Sequence, residues 1–509
     1  MNKPPAATFK SGLGHRSAVA FSWAVFSSLF KVVLTVLIQA VLARLLEPRE
    51  FGLFALALLV VGIAGYFADA GLATSLVQQR QVGENDIRFV FTLNLITALA
   101  IGALLMGFAG SIASTFDKPE VKPTLQWLAP IFVVNAIASV SVSLLRRDLD
   151  YRSIQIANLV GYALGFGVVG IAAAAVFGTV QSLVAAYLCQ AVLTLILLYR
   201  KTRHSIGFTL ETIDRSVFLG FGANILVTNL VNWAASSLDR LIVSRLFSSA
   251  TLGYYSASFN LIYSPVGALY ASLQSTVFSS VARMQDELLR MRAAYLLLLR
   301  TVTLAFLPMF IGLYFYSGPL VLAIYGEQWV AAAPIAGPFC LMAPFVMIWA
   351  CSTPVLWNTG RNSLEWKVQL PFLALTVLVI VPAASSSIVA VAWAASGIYM
   401  TRTILMMGLA CRALGISFIQ VFAAVWPGIW IAAIVCVVAQ ACALQLQANV
   451  IPVALQVVLG ALVVLATIVT CLLSVPAVLP EVVRGYIGNL IPLAPQLLRP
   501  LLNRLNRTP

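Results

Sequence analysis

Residues 44–55, RLLEPREFGLFA, return 201 positions later in residues 245–256 as RLFSSATLGYYS. Gly52 aligns with Gly253 at this fixed offset, and arginine, leucine and aromatic positions on either side align as well. Both copies lie between long apolar runs. The repeat therefore predicts two homologous halves, each built from membrane-embedded helices.

The composition requires lipid as the solvent for most of the chain. Of 509 residues, 61% are hydrophobic and only 9% are charged, whereas a soluble protein carries about 25% charged residues. The net charge of +14 falls in loops on one side, so we predict no nucleic-acid partner. The seven Cys form no CxxC pair and the two His lie apart in basic loops, so no metal and no cofactor is predicted.

Hydropathy predicts an all-α polytopic membrane protein. Since about 20 mainly apolar residues cross a bilayer, we place about 14 transmembrane helices in two pseudo-symmetric six-helix lobes, followed by two extra C-terminal helices. Breaks inside long uncharged runs are placed at Gly178-Thr179, at serines 385–387 and between Gln445 and Pro452. The predicted domains are a cytoplasmic tail (1–16), the N-lobe (17–199), a basic inter-lobe loop (200–215), the C-lobe (216–412), spans 13 and 14 (413–475) and a basic amphipathic tail (476–509).

Charge placement predicts the direction of the spans. With the N-terminus inside, most of the 31 Lys and Arg fall in cytoplasmic loops, as the positive-inside rule predicts. Both termini are then cytoplasmic. An even number of spans in each lobe makes the two copies parallel repeats. The dense cluster at residues 200–204 is interpreted as a solvated linker between them, with a regulatory contact as the alternative.

The offset of 201 also aligns a polar stripe within spans one and seven. The aligned pairs are Ser27 with Thr228, Lys31 with Asn232, Thr35 with Ser236, and Gln39 with Arg240. A spacing of four keeps each set on one helix face. The same polar face on both helices predicts a shared interior cavity, and in transporters the seam between repeats is the usual substrate path.

Isolated charges within the spans are candidate functional residues. A Lys at mid-membrane costs roughly 2.5–3.5 kcal/mol on insertion scales, so we expect Lys31 to face a cavity and bind an anionic group such as phosphate. Asp69 either couples an ion or bends its helix. Asp239 either couples an ion or pairs with a neighbouring arginine. The candidate cavity residues are Lys31, Gln39, Asn232, Arg240 and Arg300.

The sequence predicts no enzyme. It contains no Walker loop, no paired-carboxylate arrangement and no Ser/His/Asp constellation, and the predicted external loops are short. Transport would have to draw on an ion gradient or on the downstream use of the substrate.

Several segments resemble a known transporter family. They are DAGLATSLVQQR (69–80), LLRRDLDYR (144–152), LDRLIVSRLFSSATLGYYSASFNL (238–261), VFSSVARMQDELLR (277–290) and IYGEQWVAAA (324–333). They are similar to the polysaccharide transporter family, whose members are Wzx-type lipid-linked oligosaccharide flippases of the multidrug/oligosaccharidyl-lipid/polysaccharide superfamily.

This resemblance implies a two-lobed bundle working by alternating access. The implied substrate is an oligosaccharide on undecaprenyl pyrophosphate, flipped across a bacterial inner membrane for exopolysaccharide, capsule or O-antigen synthesis. Implied partners are membrane lipid, a polysaccharide polymerase and a chain-length regulator. Two alternatives stay open: an ion-coupled drug/cation antiporter of the same superfamily, which would want more acid in its cavity, and a non-transport component of polysaccharide assembly.

Overall fold

The computed structural model describes residues 30–69, 73, 76–77, 82–209, 215–284, 287–361, 363–449, 451–476 and 479. The predicted cytoplasmic tail (1–16) and nearly all of the predicted amphipathic tail (476–509) lie outside these residues. All regular secondary structure in the described residues is helical.

Among the described residues, the first half of the chain supplies six long helical segments. They are α1 (residues 30–45), α2 (Pro48–Asp69), α3 (Glu84–Thr115), α4 (Val121–Arg147), α5 (Tyr151–Phe177) and α6 (Val180–Thr202). Pro130 divides α4 into two parts, because proline lacks the amide hydrogen that a continuous helix requires. Gly178 ends α5 with a positive φ of 61°, as the Gly178-Thr179 break predicts.

The second half supplies the remaining helices. They are α7 (Arg215–Leu246), α8 (Ser249–Ala282), α9 (Leu288–Tyr325), α10 (Glu327–Asn358), α11 (Ser363–Ala384), α12 (Ile388–Leu414), α13 (Phe418–Ala448) and α14 (Val453–Ser474). Ser387 begins α12 by accepting a hydrogen bond from the amide of Ala390 at 3.0 Å, which is a common way to start a helix. The predicted breaks at 385–387 and 445–452 are confirmed.

The helices are long and apolar enough to form a polytopic membrane protein. Eleven of them, among the described residues, meet the length and hydropathy needed to cross a membrane. Of these eleven helices, α10 is the most enclosed, with 89% of an apolar 18-residue stretch buried. It packs against α8, α9 and α12. α13 and α14 pack against α9 at the edge of the second half. The all-α membrane fold is confirmed, whereas the predicted lobe boundaries stay predictions.

The two repeated glycines meet where the halves join. A Cβ on Gly52 would overlap the carbonyl oxygen of Ser249, and one on Gly253 would overlap that of Pro48. Pro48 and Ser249 are themselves 201 positions apart. The contact is therefore reciprocal, as between the subunits of a two-fold symmetric dimer. Close approach of helix backbones at glycine is the usual basis of helix association in membranes.

The connection between the halves is docked rather than fully solvated. His204 is buried, and its ring lies 5.2 Å from that of Tyr199 and 6.0 Å from that of Phe91 on α3. The hydroxyl of Ser205 accepts a 2.7 Å hydrogen bond from Arg88 Nε on the same helix. Our interpretation of the cluster at 200–204 as a solvated linker is therefore wrong at His204, because the start of α3 offers aromatic and hydrogen-bonding partners.

A methyl group at either repeated glycine should destabilise the protein. Gly52→Ala and Gly253→Ala force the α2 and α8 backbones apart, and overpacking of this kind costs about 1–3 kcal/mol. The measurement is thermal unfolding of purified protein in detergent. Gly107→Ala on α3 is the matched control, since no atom of another helix in the described part of the chain lies within 4 Å of the position that its Cβ would take; it should be neutral or slightly stabilising. Equal melting temperatures for all three variants would contradict the close contact.

Acidification should weaken the docked connection. Burial lowers the pKa of His204 below its ordinary value of 6.5. The folded protein then binds this proton less readily than the unfolded chain does. Stability therefore falls as pH drops through the region around 6.5, by up to about 1.4 kcal/mol per pH unit.

Thermal unfolding at a series of pH values measures this effect. His204→Phe keeps an aromatic ring but cannot bind a proton, so it should flatten the profile below pH 6.5. His15→Phe removes the other histidine of the chain and should retain the wild-type slope. An unchanged slope in His204→Phe would show that another group titrates.

Candidate functional site

A cavity lies between the first half and α8. It has a volume of about 510 Å³ and is lined by α1, α2, α5, α6, one face of α8 and Tyr325 at the end of α9. Lys31, Thr35 and Gln39 line it together, because a four-residue spacing keeps them on one face of α1. The Lys31 side chain is exposed to this space. Asn158 and Gln190 add further hydrogen-bonding groups to the wall.

A second cavity lies within the second half. It has a volume of about 300 Å³ and is lined by α7, α8, α10, α11 and α12. Ser236 and Arg240 of α7 line it, together with Arg402 of α12. Much of the remaining wall is aromatic, from Phe259, Tyr263, Phe339, Phe372 and Tyr399.

The two cavities are equivalent positions of the repeat. Residues 201 positions apart line both: Thr35 and Ser236, Gln39 and Arg240, Leu58 and Phe259. Asn260 of α8 lines both cavities. Thr35, Gln39, Ser236 and Arg240 of the polar stripe therefore line two adjacent cavities on either side of α8.

Arg240 is held against the wall of the second cavity. Its Nη2 donates to the carbonyl of Ser236 at 2.8 Å and to the hydroxyl of Ser237 at 3.2 Å. The guanidinium lies 4.8 Å from the ring centroid of Phe259, a favourable cation–π distance. Its Nε is buried and has no hydrogen-bond partner among the described residues, while the residue itself lines the cavity.

Asp239 forms no ion pair with the neighbouring arginines among the described residues. Its carboxylate accepts a 2.8 Å hydrogen bond from the hydroxyl of Tyr255, while Arg245 pairs with Asp117. Among the described residues, no carboxylate lies within ion-pair distance of Arg240. The alternative that Asp239 pairs with Arg240 or Arg245 is therefore wrong.

Arg402 is a cavity residue that the sequence reasoning missed. Only 6% of it is exposed, its Nη1 donates to the carbonyl of Ala235 at 3.2 Å, and its buried Nε has no partner among the described residues. The guanidinium lies 4.9 Å from the ring of Trp349 and 4.6 Å from that of Tyr399. Arg402 is a charged residue within an apolar span, which is the signal that identified Lys31 as a candidate. The sequence therefore contained the signal that would have identified Arg402.

The remaining candidates lie elsewhere. Asn232 accepts a 2.6 Å hydrogen bond from Gln369 of α11 and lines neither of the two cavities. Arg300 lies on α9 and also lines neither cavity. Asp69 is the last residue of α2. The side chains of Asp69 and Thr228, and the whole of Ser27, lie outside the described residues. Their roles in binding or ion coupling stay predictions.

The charge balance of the two cavities favours an anion. Their walls contain Lys31, Arg240 and Arg402, with Asp239 as the carboxylate. Cations in a cleft with apolar walls raise the local concentration of negatively charged ligands. Guanidinium groups also match the oxygen geometry of phosphate and carboxylate.

Comparison with known proteins agrees with this architecture. The chain is 26% identical over 370 residues to the "Succinoglycan biosynthesis transport protein ExoT" of Rhizobium meliloti, covering 72% of this chain and 74% of that one. It is 23% identical over 324 residues to the "Lipopolysaccharide biosynthesis protein WzxC" of Escherichia coli, covering 63% and 65%. The solved structure "Lipid II flippase MurJ, inward closed conformation" superposes with a TM-score of 0.70 at 15% identity, covering 88% of this chain and 98% of that one, so the two share a fold.

A family model describes more than half of the chain. Residues 41–334 match the family described as "Polysaccharide biosynthesis protein". This region contains both copies of the repeat, including the two glycines at which the halves meet. The chain is a multi-pass membrane protein that belongs to the polysaccharide biosynthesis protein family.

Proposed function

We propose that the protein flips a lipid-linked oligosaccharide precursor across a membrane for the assembly of a surface polysaccharide. The observation that carries the proposal is the pair of equivalent, cation-lined cavities enclosed in an apolar helical bundle. The relatives named as transport and biosynthesis proteins for succinoglycan and lipopolysaccharide support the polysaccharide pathway. In more detail, the proposed substrate is an oligosaccharide on undecaprenyl pyrophosphate, and the membrane is the bacterial inner membrane.

The physical task is to move a polar headgroup through hydrocarbon. Burying hydroxyl groups without hydrogen bonds costs several kcal/mol each, and burying a bare charge costs far more. A lined cavity replaces the lost water with protein donors and cations, while the lipid tail stays in the bilayer. The bundle changes only which end of this polar space is open, as in other repeat-built transporters.

Lys31 is assigned to the phosphate groups. It is the cation of the first cavity wall, and its side chain is not drawn into any of the ion pairs formed among the described residues. A flexible ammonium with three donors follows a phosphate as the headgroup shifts between positions. Gln39 and Gln190 line the same space and supply neutral hydrogen bonds.

The second cavity is suited to a sugar. Sugar faces are apolar, and the rings of Phe259 and Tyr263 stack at 4.8 Å within its wall. Asn260 and Ser236 offer hydrogen bonds to hydroxyl groups at the same wall. Arg240 lines the same cavity, and its positive charge would accommodate an acidic sugar or the far phosphate.

The charge and the repetition of the two cavities disfavour the two alternative functions. A drug/cation antiporter needs carboxylates that attract cations, yet Asp239 is already bound by Tyr255 and stands against Lys31, Arg240 and Arg402. A non-transport component of polysaccharide assembly would have no use for two cavities in repeated positions. A polymerase and a chain-length regulator are then proposed as later partners that consume the flipped lipid.

Removal of the Lys31 charge should block export. Lys31→Ala eliminates charge-assisted hydrogen bonds worth about 1.5–3 kcal/mol each, so transport should fall at least roughly tenfold with normal protein levels. The measurements are surface polymer yield in cells and flipping of a fluorescent lipid-linked oligosaccharide by purified protein in vesicles.

The matched control is Lys122→Ala. Lys122 is exposed on α4 and lines neither cavity, so its loss should leave both readouts unchanged. Lys31→Arg keeps the charge and should retain part of the activity. Wild-type flipping by Lys31→Ala would remove Lys31 from the mechanism, and export of cationic drugs by purified protein would favour the antiporter.

A further inference from the structure

Each half of the protein sends a loop across to the end of the first helix of the other half. The α3–α4 loop (residues 116–120) reaches the C-terminal end of α7. The junction of α9 and α10 (residues 325–329) reaches the C-terminal end of α1. Both contacts occur at the face of the molecule where α1 and α7 end, here called the clasp face.

Lys118 makes the first of these crossings. Its side chain is buried, and its Nζ donates to the carbonyls of Ser244 and of Phe247, the latter at 2.9 Å. It also donates to the carbonyl of Phe116 within its own loop at 3.4 Å. An ammonium at a helix C-terminus satisfies carbonyls that have no partner within the helix and opposes the negative end of the helix dipole.

Gln328 makes the second crossing in the same way. Its Nε2 donates to the carbonyls of Ala43 and of Leu46, the latter at 3.3 Å. Trp329 Nε1 adds a 2.8 Å hydrogen bond to the carbonyl of Ala43. Ala43 corresponds to Ser244, and Leu46 to Phe247, at the repeat offset of 201. The two crossings therefore cap equivalent carbonyls on opposite halves.

The repeated arginines reinforce the same arrangement. Arg245, near the end of α7, forms an ion pair with Asp117 of the crossing loop. Arg44, its equivalent on α1, donates to the carbonyl of Ala323 on α9 at 2.9 Å. Thus each half contributes one loop and one arginine to the clasp face.

We propose that Lys118 and Gln328 form a reciprocal latch that holds the two halves closed at the clasp face, and that transport requires both ends of the latch to release. The requirement for release during transport rests on the proposed function. The charge placement predicts that the clasp face is the outer face, so the structure corresponds to a state closed toward the outside. Separation of the halves there must break both sets of caps and the Gly52–Gly253 contact together, because one movement of the halves carries all three.

Reversible crosslinking tests the latch. In a background with the seven cysteines replaced, Asp117→Cys with Arg245→Cys places one thiol on each half at the clasp face. The matched control pair is Arg49→Cys with Glu120→Cys, which replaces an ion pair of 2.7 Å that joins the same loop to α2 within the first half. A short bis-methanethiosulfonate reagent joins each pair, and a reductant releases it.

The two cysteine pairs should affect flipping differently. Crosslinking between the halves should stop flipping of the lipid-linked oligosaccharide, with recovery on reduction, whereas crosslinking within the first half should leave flipping unchanged. Full flipping with the halves crosslinked overturns the proposal. Failure of the pair between the halves to crosslink, while the control pair does, overturns it as well.

A second measurement needs no substrate. Asn260→Cys, on the wall shared by both cavities, reports access of a membrane-impermeant thiol reagent added from the clasp face. Lys118→Met should raise the labelling rate on the order of tenfold, and Gln328→Leu should raise it in the same direction, whereas Lys122→Met should not change it. Unchanged labelling in both latch variants overturns the proposal. Failure of the proposed function appears differently, as no flipping by the wild-type protein while the latch variants still increase labelling.

Discussion

The backbone contact between Gly52 and Gly253 is the constraint on which the rest of the structure depends. It brings α2 and α8 so close that a methyl group on either glycine would overlap a carbonyl oxygen of the other helix. Because the contact is reciprocal, it sets the relative position of the two halves in the state that the structure shows.

The two cavities follow from the same symmetry. Duplicated helices place equivalent faces at equivalent depths, so Gln39 and Arg240 occupy matching walls of different compartments. The copies have since diverged in chemistry. The first cavity has one flexible ammonium at Lys31, and the second has two guanidinium groups held over aromatic rings. A substrate with a phosphate group and sugars presents two kinds of surface, and the divergence of the cavities matches that division.

Sequence reasoning was most accurate where a single helix decided the outcome. A spacing of four placed Lys31, Thr35 and Gln39 on one face of α1, and all three line one cavity. It was weaker where partners come from other helices. Asn232, the equivalent of Lys31, is bound by Gln369 of α11. The docking of His204 against α3 likewise depends on helices distant in sequence.

The sequence by itself determined the all-helical membrane fold, the repeat and the family, because hydropathy, helical periodicity and internal similarity are properties of consecutive residues. Only the tertiary structure decided that the polar stripe faces two compartments, that Arg402 joins Arg240, and that Lys118 and Gln328 cap helices of the opposite halves. These features depend on distances between helices that lie far apart in the chain, and such distances are set by how the helices pack rather than by local sequence.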